Sequence, residues 1–425
     1  MTQLSDDCFA FGGPLLSIED GIRQISARVD PVAATETAAL PDADARILAA
    51  DFLASLDLPP ADNAAVDGYA VRHADLATNG AANGATNGAT TLPIEGRDVA
   101  GQPSSSPLPP GTARRIFTGA RLPAGADTVF MQEDVEPLGP HVRLPPGLRR
   151  GANTRQRGED IRAGAVALPG GRRLRPQDIA LAAALGATHL PVRRRLRVAI
   201  FSTGNEIVSP GDPLGPGQIF DANRCLLASL AARAGASVTD LGILPDDQAA
   251  TARALNAATA GHDLLLTSGG VSTGEEDHVK AAVEAIGRLV FWRLAIKPGR
   301  PVAMGVIRGV PLAGLPGNPV AAFITFAHVV RPLIARLAGE TWEKPVAFPV
   351  RSAFAYRKKS GRREYVRVRL APAADGTPEA HKHPQEGAGI LSSLTATHGL
   401  VEVPEPVTSV APGDVVGFLS YDALI

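Results

Sequence analysis

From residue 194 to 340, short apolar runs alternate with stretches whose apolar positions recur at helical spacing. Arg197–Phe201, Val238–Leu244 and Leu264–Thr267 read as strands, each a brief apolar run bounded by turn residues. Asn223–Ala234, closed by Gly235, reads as a helix, as do a stretch beginning near Asp246 and the segment Asp277–Ile286. A further strand at Pro311–Leu315 leads to a helix opened by Asn318 and Pro319, a cap followed by a proline at the first helical position. This rhythm predicts a doubly wound α/β unit, with a mostly parallel sheet, helices on both faces and ligands at the carboxyl ends of the strands.

On either side the pattern changes. Residues 15–58 have helical spacing broken at Pro31 and Pro41, with Ile47, Leu48 and Phe52 marking one apolar face over Asp42–Leu53. From 59 to 150 the texture is β-prone pieces between Pro and Gly turns, such as Arg115–Thr118 and Asp127–Gln132. Within it Asn79–Thr90, NGAANGATNGAT, has no apolar anchor and reads as a flexible surface loop. Residues 151–190 mix turns with an alanine-rich helix at Pro176–Leu185, closed by Gly186. Beyond Thr341 the strand-like runs Glu364–Leu370, Gly399–Val403 and Asp414–Phe418 suggest a small barrel or sandwich.

Bulk properties narrow the class. At 425 residues the chain exceeds one ordinary core, so two to four domains are expected. With 45% hydrophobic and 20% charged residues and a net charge of −1, it has neither the basic balance of a general nucleic-acid binder nor that of a membrane-surface binder. The apolar run Pro319–Val330, ended by Arg331, reads as too short for a membrane span, and the acidic N-terminus is unlike a secretion signal. Cys8 and Cys225 define neither a disulfide framework nor a zinc site. A cytoplasmic location is expected.

The loops after the predicted strands carry the candidate chemistry. Ser202, Thr203, Gly204, Asn205 and Glu206 follow the first, Pro245, Asp246 and Asp247 the second, and TSGGVSTGEEDHVK (267–280) the third. Glycines let backbone amides approach an anion before a helix N-terminus, which makes Ser268, Gly269, Gly270, Ser272 and Gly274 candidate substrate contacts. Glu206, Asp246 and Asp277 would stand at one sheet edge, where carboxylates suit a hard divalent cation. Capping alone would also explain Asp246. In WRLAIKPGRP (292–301), Arg293 and Lys297 lie four apart, on one side of an extended strand, and Arg300 follows across Pro298 and Gly299. These cations suit an oxyanion; solvated surface charge is the plainer explanation. Pro316, Gly317 and Asn318 form another turn feeding a helix. Asp67, on an Asp-Gly turn, and Thr118, beside Gly119, are accounted for by turn chemistry alone.

Taken together, NAAVDGYA (63–70), FTGARLPAGADTV (117–129), RGEDI (157–161), STGNE (202–206), TSGGVSTGEEDHVK, WRLAIKPGRP and LPGNPVAA (315–322) resemble the molybdopterin molybdenumtransferase family, which is related to the E domain of gephyrin. The resemblance implies a multi-domain α/β protein with four parts. These are a mixed helical/β domain formed by two segments (1–58 and 151–190), an inserted β-rich domain (59–150), an α/β domain of molybdopterin-binding type (191–340) and a C-terminal small β-barrel (341–425). It implies insertion of molybdate into adenylylated molybdopterin at the dithiolene with release of AMP, aided by Mg²⁺ or another divalent cation. It also implies a homodimer with the active site shared between subunits, and a molybdopterin adenylyltransferase as pathway partner. The functional positions carried over are Asp67, Thr118, Glu206, Asp246, Asp277, Arg293 and Lys297. Glu206, Asp246 and Asp277 would be metal ligands, and Arg367 and Ser392 substrate contacts in the last domain. This chain departs from the family at Ala64, where serine is usual, at Val66, where methionine is common, and at Arg293, often lysine. The alternatives are a molybdopterin adenylyltransferase, disfavoured by the flanking domains, and a scaffold that keeps the fold without the chemistry.

Overall fold

A computed structural model describes residues 15–76, 88–102, 106–245, 247–269 and 278–425. The alternating segment forms a six-stranded sheet in the order Ser237–Leu244, Arg197–Thr203, Leu264–Ser268, Val310–Leu315, Pro301–Ile307, Gly287–Arg293. The first four strands run parallel, and the last two join antiparallel to their neighbours. The central strands are apolar on both faces, as a sheet covered on both sides requires: Val198, Ala199, Ile200 and Phe201 are all buried, as are Leu264, Leu265 and Leu266. From Arg197–Thr203 the chain passes outward to Ser237–Leu244 and then returns to Leu264–Ser268 on the other side. The carboxyl ends of Arg197–Thr203 and Leu264–Ser268 therefore flank the point where the winding reverses, the position where such sheets open a crevice.

Residues 15–58 are not mainly helical. Only Ile18–Arg28 is an α-helix, capped by the Ser17 side chain, while Thr35–Ala39 and Phe52–Leu53 are strands. Thr35–Ala39 pairs with His189–Arg193, and Phe52–Leu53 with Val166–Leu168. Ile47 and Leu48, read as a helical face, instead bridge to Arg173 and Val192, and Ala45 has φ of 58°. Long-range strand partners outweigh local helical spacing there.

Two β units complete the molecule. The first is a six-stranded sheet from Thr128–Met131, Gly68–Val71, Ala113–Ile116, Thr90–Asp98, His141–Leu144 and Glu136–Leu138. Thr90, the last residue of the low-complexity stretch, is a buried residue of this sheet and not loop; residues 79–87 of that stretch lie outside the described residues. The second unit is C-terminal. Arg363–Pro372, Pro378–Lys382, Phe348–Ser352, Val415–Ser420 and Gly399–Val403 pair in turn, and the last returns to the first, closing a five-stranded barrel. Closure leaves no free edge among those strands.

The helix Pro319–Ala338, with a π-helical turn at Phe326–Val330, runs through the middle of the fold. It continues past Arg331, so it reaches a length and apolarity that could cross a membrane, contrary to the shorter run read from sequence; 94% of its most apolar window is buried inside the protein. Its side chains share one core with Leu16, Ile18 and Ile25, with fully buried Trp292, and with Tyr365, Leu400 and Leu419 of the barrel.

Candidate active site

The crevice at the winding reversal is a cleft of about 320 Å³ lined by Ser202, Thr203, Glu206, Asn223, Ser268, Gly269 and Gly317, among others. Six of the residues singled out from sequence meet here from three separate loops. Gly204 has φ of +129°, and a β-carbon there would lie 2.6 Å from a Glu206 carboxylate oxygen, so only glycine lets that side chain fold back along the loop. Gly269, with φ of +80°, makes the turn out of Leu264–Ser268. Pro316 is half-buried and Asn318 exposed in the turn beside it. Asp246, Gly270, Ser272, Gly274 and Asp277 lie outside the described residues.

The cationic motif is divided. Gly287–Arg293 ends in the α/β sheet, and Ile296–Lys297 pairs with Arg363 and Glu364 of the barrel. Arg293 and Lys297 therefore do not share one strand: Leu294 and Ala295 turn the chain between them, with the Ala295 amide bonded to the Leu16 carbonyl. Arg293 and Arg300 are exposed. A β-carbon at Gly299 would lie 2.5 Å from Thr325 Oγ1, so the Pro-Gly turn sits directly on the central helix. Lys297 Nζ lies 3.4 Å from Glu364, which also accepts hydrogen bonds from the Tyr356 hydroxyl and Arg362 Nε. Burial raises the Glu364 pKa, but the Tyr356 and Arg362 hydrogen bonds outweigh it and hold the carboxyl below its ordinary range.

Lys297, Pro298, Arg367, Lys382, Glu386 and Ala388 line a second, smaller cleft of about 160 Å³. Arg367 is nearly buried, and its guanidinium donates to the Gly387 and Gln385 carbonyls and to Ser393 Oγ. It secures the 385–393 loop, and Ser393 is its partner; Ser392 is exposed at the start of a short helix. That loop is a wall common to both clefts. Ala388 faces the smaller one and accepts from the Val320 amide at 3.0 Å, while Gly389 and Leu391 line the larger.

Asp67 and Thr118 meet in the β-rich sheet. The Thr118 amide and hydroxyl both donate to Asp67 Oδ1, at 2.8 and 2.7 Å. With Arg115 nearby, those bonds keep the Asp67 carboxyl below its usual range. Neither residue lines the two clefts just described. Among the described residues, no group of three or more His, Cys, Asp or Glu side chains forms a metal cage. Asn223 and Glu364 were not recognised from sequence. Asn223 had a weak signal, an Asn just inside a helix opened by Asp221; Glu364 had none, being one acid in an alternating strand.

Three family models match the chain in order: MoeA N-terminal region (domain I and II) over 16–186, probable molybdopterin binding domain over 199–336, and MoeA C-terminal region (domain IV) over 349–421. The molybdopterin molybdenumtransferase of Haemophilus influenzae is 37% identical over 92% of this chain and 95% of that protein. The chain belongs to the molybdopterin molybdenumtransferase family. Molybdopterin molybdenumtransferase 2 of Mycobacterium tuberculosis is 36% identical over 89% of this chain and 93% of that protein. The crystal structure of a molybdopterin biosynthesis MoeA protein from Pyrococcus horikoshii OT3 superposes with a TM-score of 0.80 at 29% identity, covering 96% of this chain and all of that one. Membership makes this chain a transferase of molybdenum cofactor biosynthesis, with molybdopterin and molybdate as substrates.

Proposed function

We propose that the cleft at the carboxyl edge of the α/β sheet receives adenylylated molybdopterin and that molybdate enters through the neighbouring cationic cleft. The carrying observation is the shared wall at 387–391. It sets Ser202, Thr203, Ser268 and Gly269, suited to a phosphorylated ligand, beside Lys297 and Arg367, suited to an oxyanion. Glycine turns and hydroxyls hold the phosphates, Lys297 attracts molybdate as a point charge, and Arg367 keeps the wall in place. In the reaction the dithiolene sulfurs replace oxygen ligands on molybdenum, which leave as water with the dithiol protons, and hydrolysis of the phosphoanhydride by water releases AMP and leaves the pterin its terminal phosphate.

One or two carboxylates together with substrate phosphates are a donor set that suits Mg²⁺. Glu206 supplies one such carboxylate in the cleft, and in this reading Asp246 and Asp277 supply the others. When bound, the cation polarises the phosphoanhydride. The reading carries with it a cytoplasmic homodimer whose Asp67 and Thr118 serve the partner's cleft, fed by a molybdopterin adenylyltransferase. The test supplies purified protein with adenylylated molybdopterin and molybdate and assays AMP. Molybdate-dependent AMP release is expected; AMP formed at the same rate without molybdate, or none at all, overturns the reading.

A further inference from the structure

Asn223 is the second residue of the helix Ala222–Arg233, and its side chain reaches across the floor of the larger cleft. Its Nδ2 donates to Ser268 Oγ at 2.7 Å and to the Gly317 carbonyl at 2.6 Å. One amide group therefore ties the end of Leu264–Ser268 to the turn that opens the central helix. The two turns are close enough that a β-carbon on Gly317 would sit 3.8 Å from Gly269 Cα.

The chemistry of these partners fixes every proton. A backbone carbonyl only accepts, so the nitrogen of Asn223, and not its oxygen, faces Gly317. An amide NH₂ does not accept, so Ser268 Oγ must be the acceptor in the second bond. Both amide hydrogens are then used. The Ser268 hydroxyl hydrogen points away from Asn223, and among the described residues it makes no other hydrogen bond. Ser268 is nearly buried, yet it lines the cleft. With one lone pair taken by Asn223, the hydroxyl hydrogen is the polar group still to be satisfied, and a ligand entering the cleft can accept it.

We propose that Asn223 is a positioning residue that makes Ser268 a hydrogen-bond donor to an anionic phosphate oxygen of the adenylylated substrate. This rests on the cleft assignment above. Asn223→Asp would keep the shape and reverse the logic: a carboxylate only accepts, so it would claim the Ser268 proton and face the Gly317 carbonyl with like polarity.

The test measures AMP binding by calorimetry to the full-length wild type and to Asn223→Ala, Asn223→Asp, Ser268→Ala and the Asn223→Ala/Ser268→Ala double variant. Asn223→Ala and Ser268→Ala should each weaken AMP by about tenfold, the scale of one hydrogen bond to a charged group. Asn223→Asp should weaken it further. In the Ser268→Ala background, removing Asn223 should change affinity by less than about twofold, because the hydroxyl it acts through is gone. In turnover, Asn223→Ala should raise the KM for adenylylated molybdopterin while leaving the KM for molybdate unchanged. If Asn223 only braced the fold, both KM values would move together with the melting temperature, and that result overturns the proposal. Multiplicative effects of the two alanine variants also overturn it while leaving the cleft assignment standing. A wild type that fails to bind AMP overturns both. If Asn223→Ala does not fold, Asn223→Asp and Ser268→Ala carry the same comparison.

Discussion

Glu364 shows how one buried charge can stand beside a cation without depending on it. It is 1% exposed, and Arg362 and Tyr356 hold it, while Lys297 stands at 3.4 Å with about half its side chain in solvent. Lys297 is thus dispensable to Glu364. Lys297→Ala should cost less than about 1 kcal/mol of stability yet sharply reduce molybdate-dependent AMP release; wild-type turnover by the folded variant would remove Lys297 from the site. His328 is the opposite case, a buried ring stacked on Tyr365 at 4.4 Å with Nε2 unpartnered among the described residues. Burial, then the nearby Lys344 and Arg363, push its pKa from 6.5 down to about 3, with Glu19 opposing. As pH falls below 6.5 the unfolded chain takes up a proton that the folded one refuses. Stability is therefore lost from pH 6.5 downward to about 3, at up to about 1.4 kcal/mol per pH unit. His328→Phe keeps the stacked ring without the titration, so its melting temperature should gain on wild type between pH 7 and pH 5; a gap that does not change with pH would refute this. Ser268 and Lys297 stood out in the sequence because glycine turns and clustered cations are local signals. Asn223 and Glu364 did not, because the contacts that bring them to the clefts, with Ser268 and Lys297, lie 45 and 67 residues away.

Elements were legible where pattern and partner agree. The four parallel strands of the α/β sheet fall within a residue or two of the apolar runs read from sequence, since burial on both faces writes itself as an unbroken run; the two antiparallel strands, Pro301–Ile307 and Gly287–Arg293, were not read. The segment 15–58 was misread because its strands are fixed by partners at 166–168 and 189–193, far along the chain. The arginine run at 193–197 also has a structural destination. Arg194 and Arg197 both bind Asp263, which is 3% exposed and also accepts from the Arg197 amide at 2.8 Å. This joins the starts of two neighbouring strands in register. Asp263→Asn should cost about 2 kcal/mol, less than for a fully buried pair because both guanidiniums keep some solvent; a melting temperature equal to wild type would show the pair to be ornamental.

At the scale of the whole molecule, the proposed site draws on parts that meet only after folding. Arg363 bonds Glu19 of the first helix at 2.7 Å and Glu402 and Glu405 of the barrel, so the two ends of the chain are clasped beside the central helix. The Asp67–Thr118 pair stands apart from the clefts as elements of a different sheet. In the proposed dimer this pair would serve the partner's cleft, and a two-fold interface would give two equivalent sites. Inactive Asp67→Asn mixed with inactive Glu206→Gln should regain part of the activity after subunit exchange, since one site of each heterodimer escapes both defects; no recovery despite proven exchange would place both groups in one chain's site. The wall at 387–391 has one more consequence, in time rather than space. Ala388 reaches the Val320 amide from a loop near the end of the chain. A ribosome that has finished the α/β sheet has therefore made a cleft with one side missing. Until the barrel has been synthesised and has closed, both proposed clefts lack their common wall, and a chain cut short before that loop would lack the enclosed site even where its sheet formed.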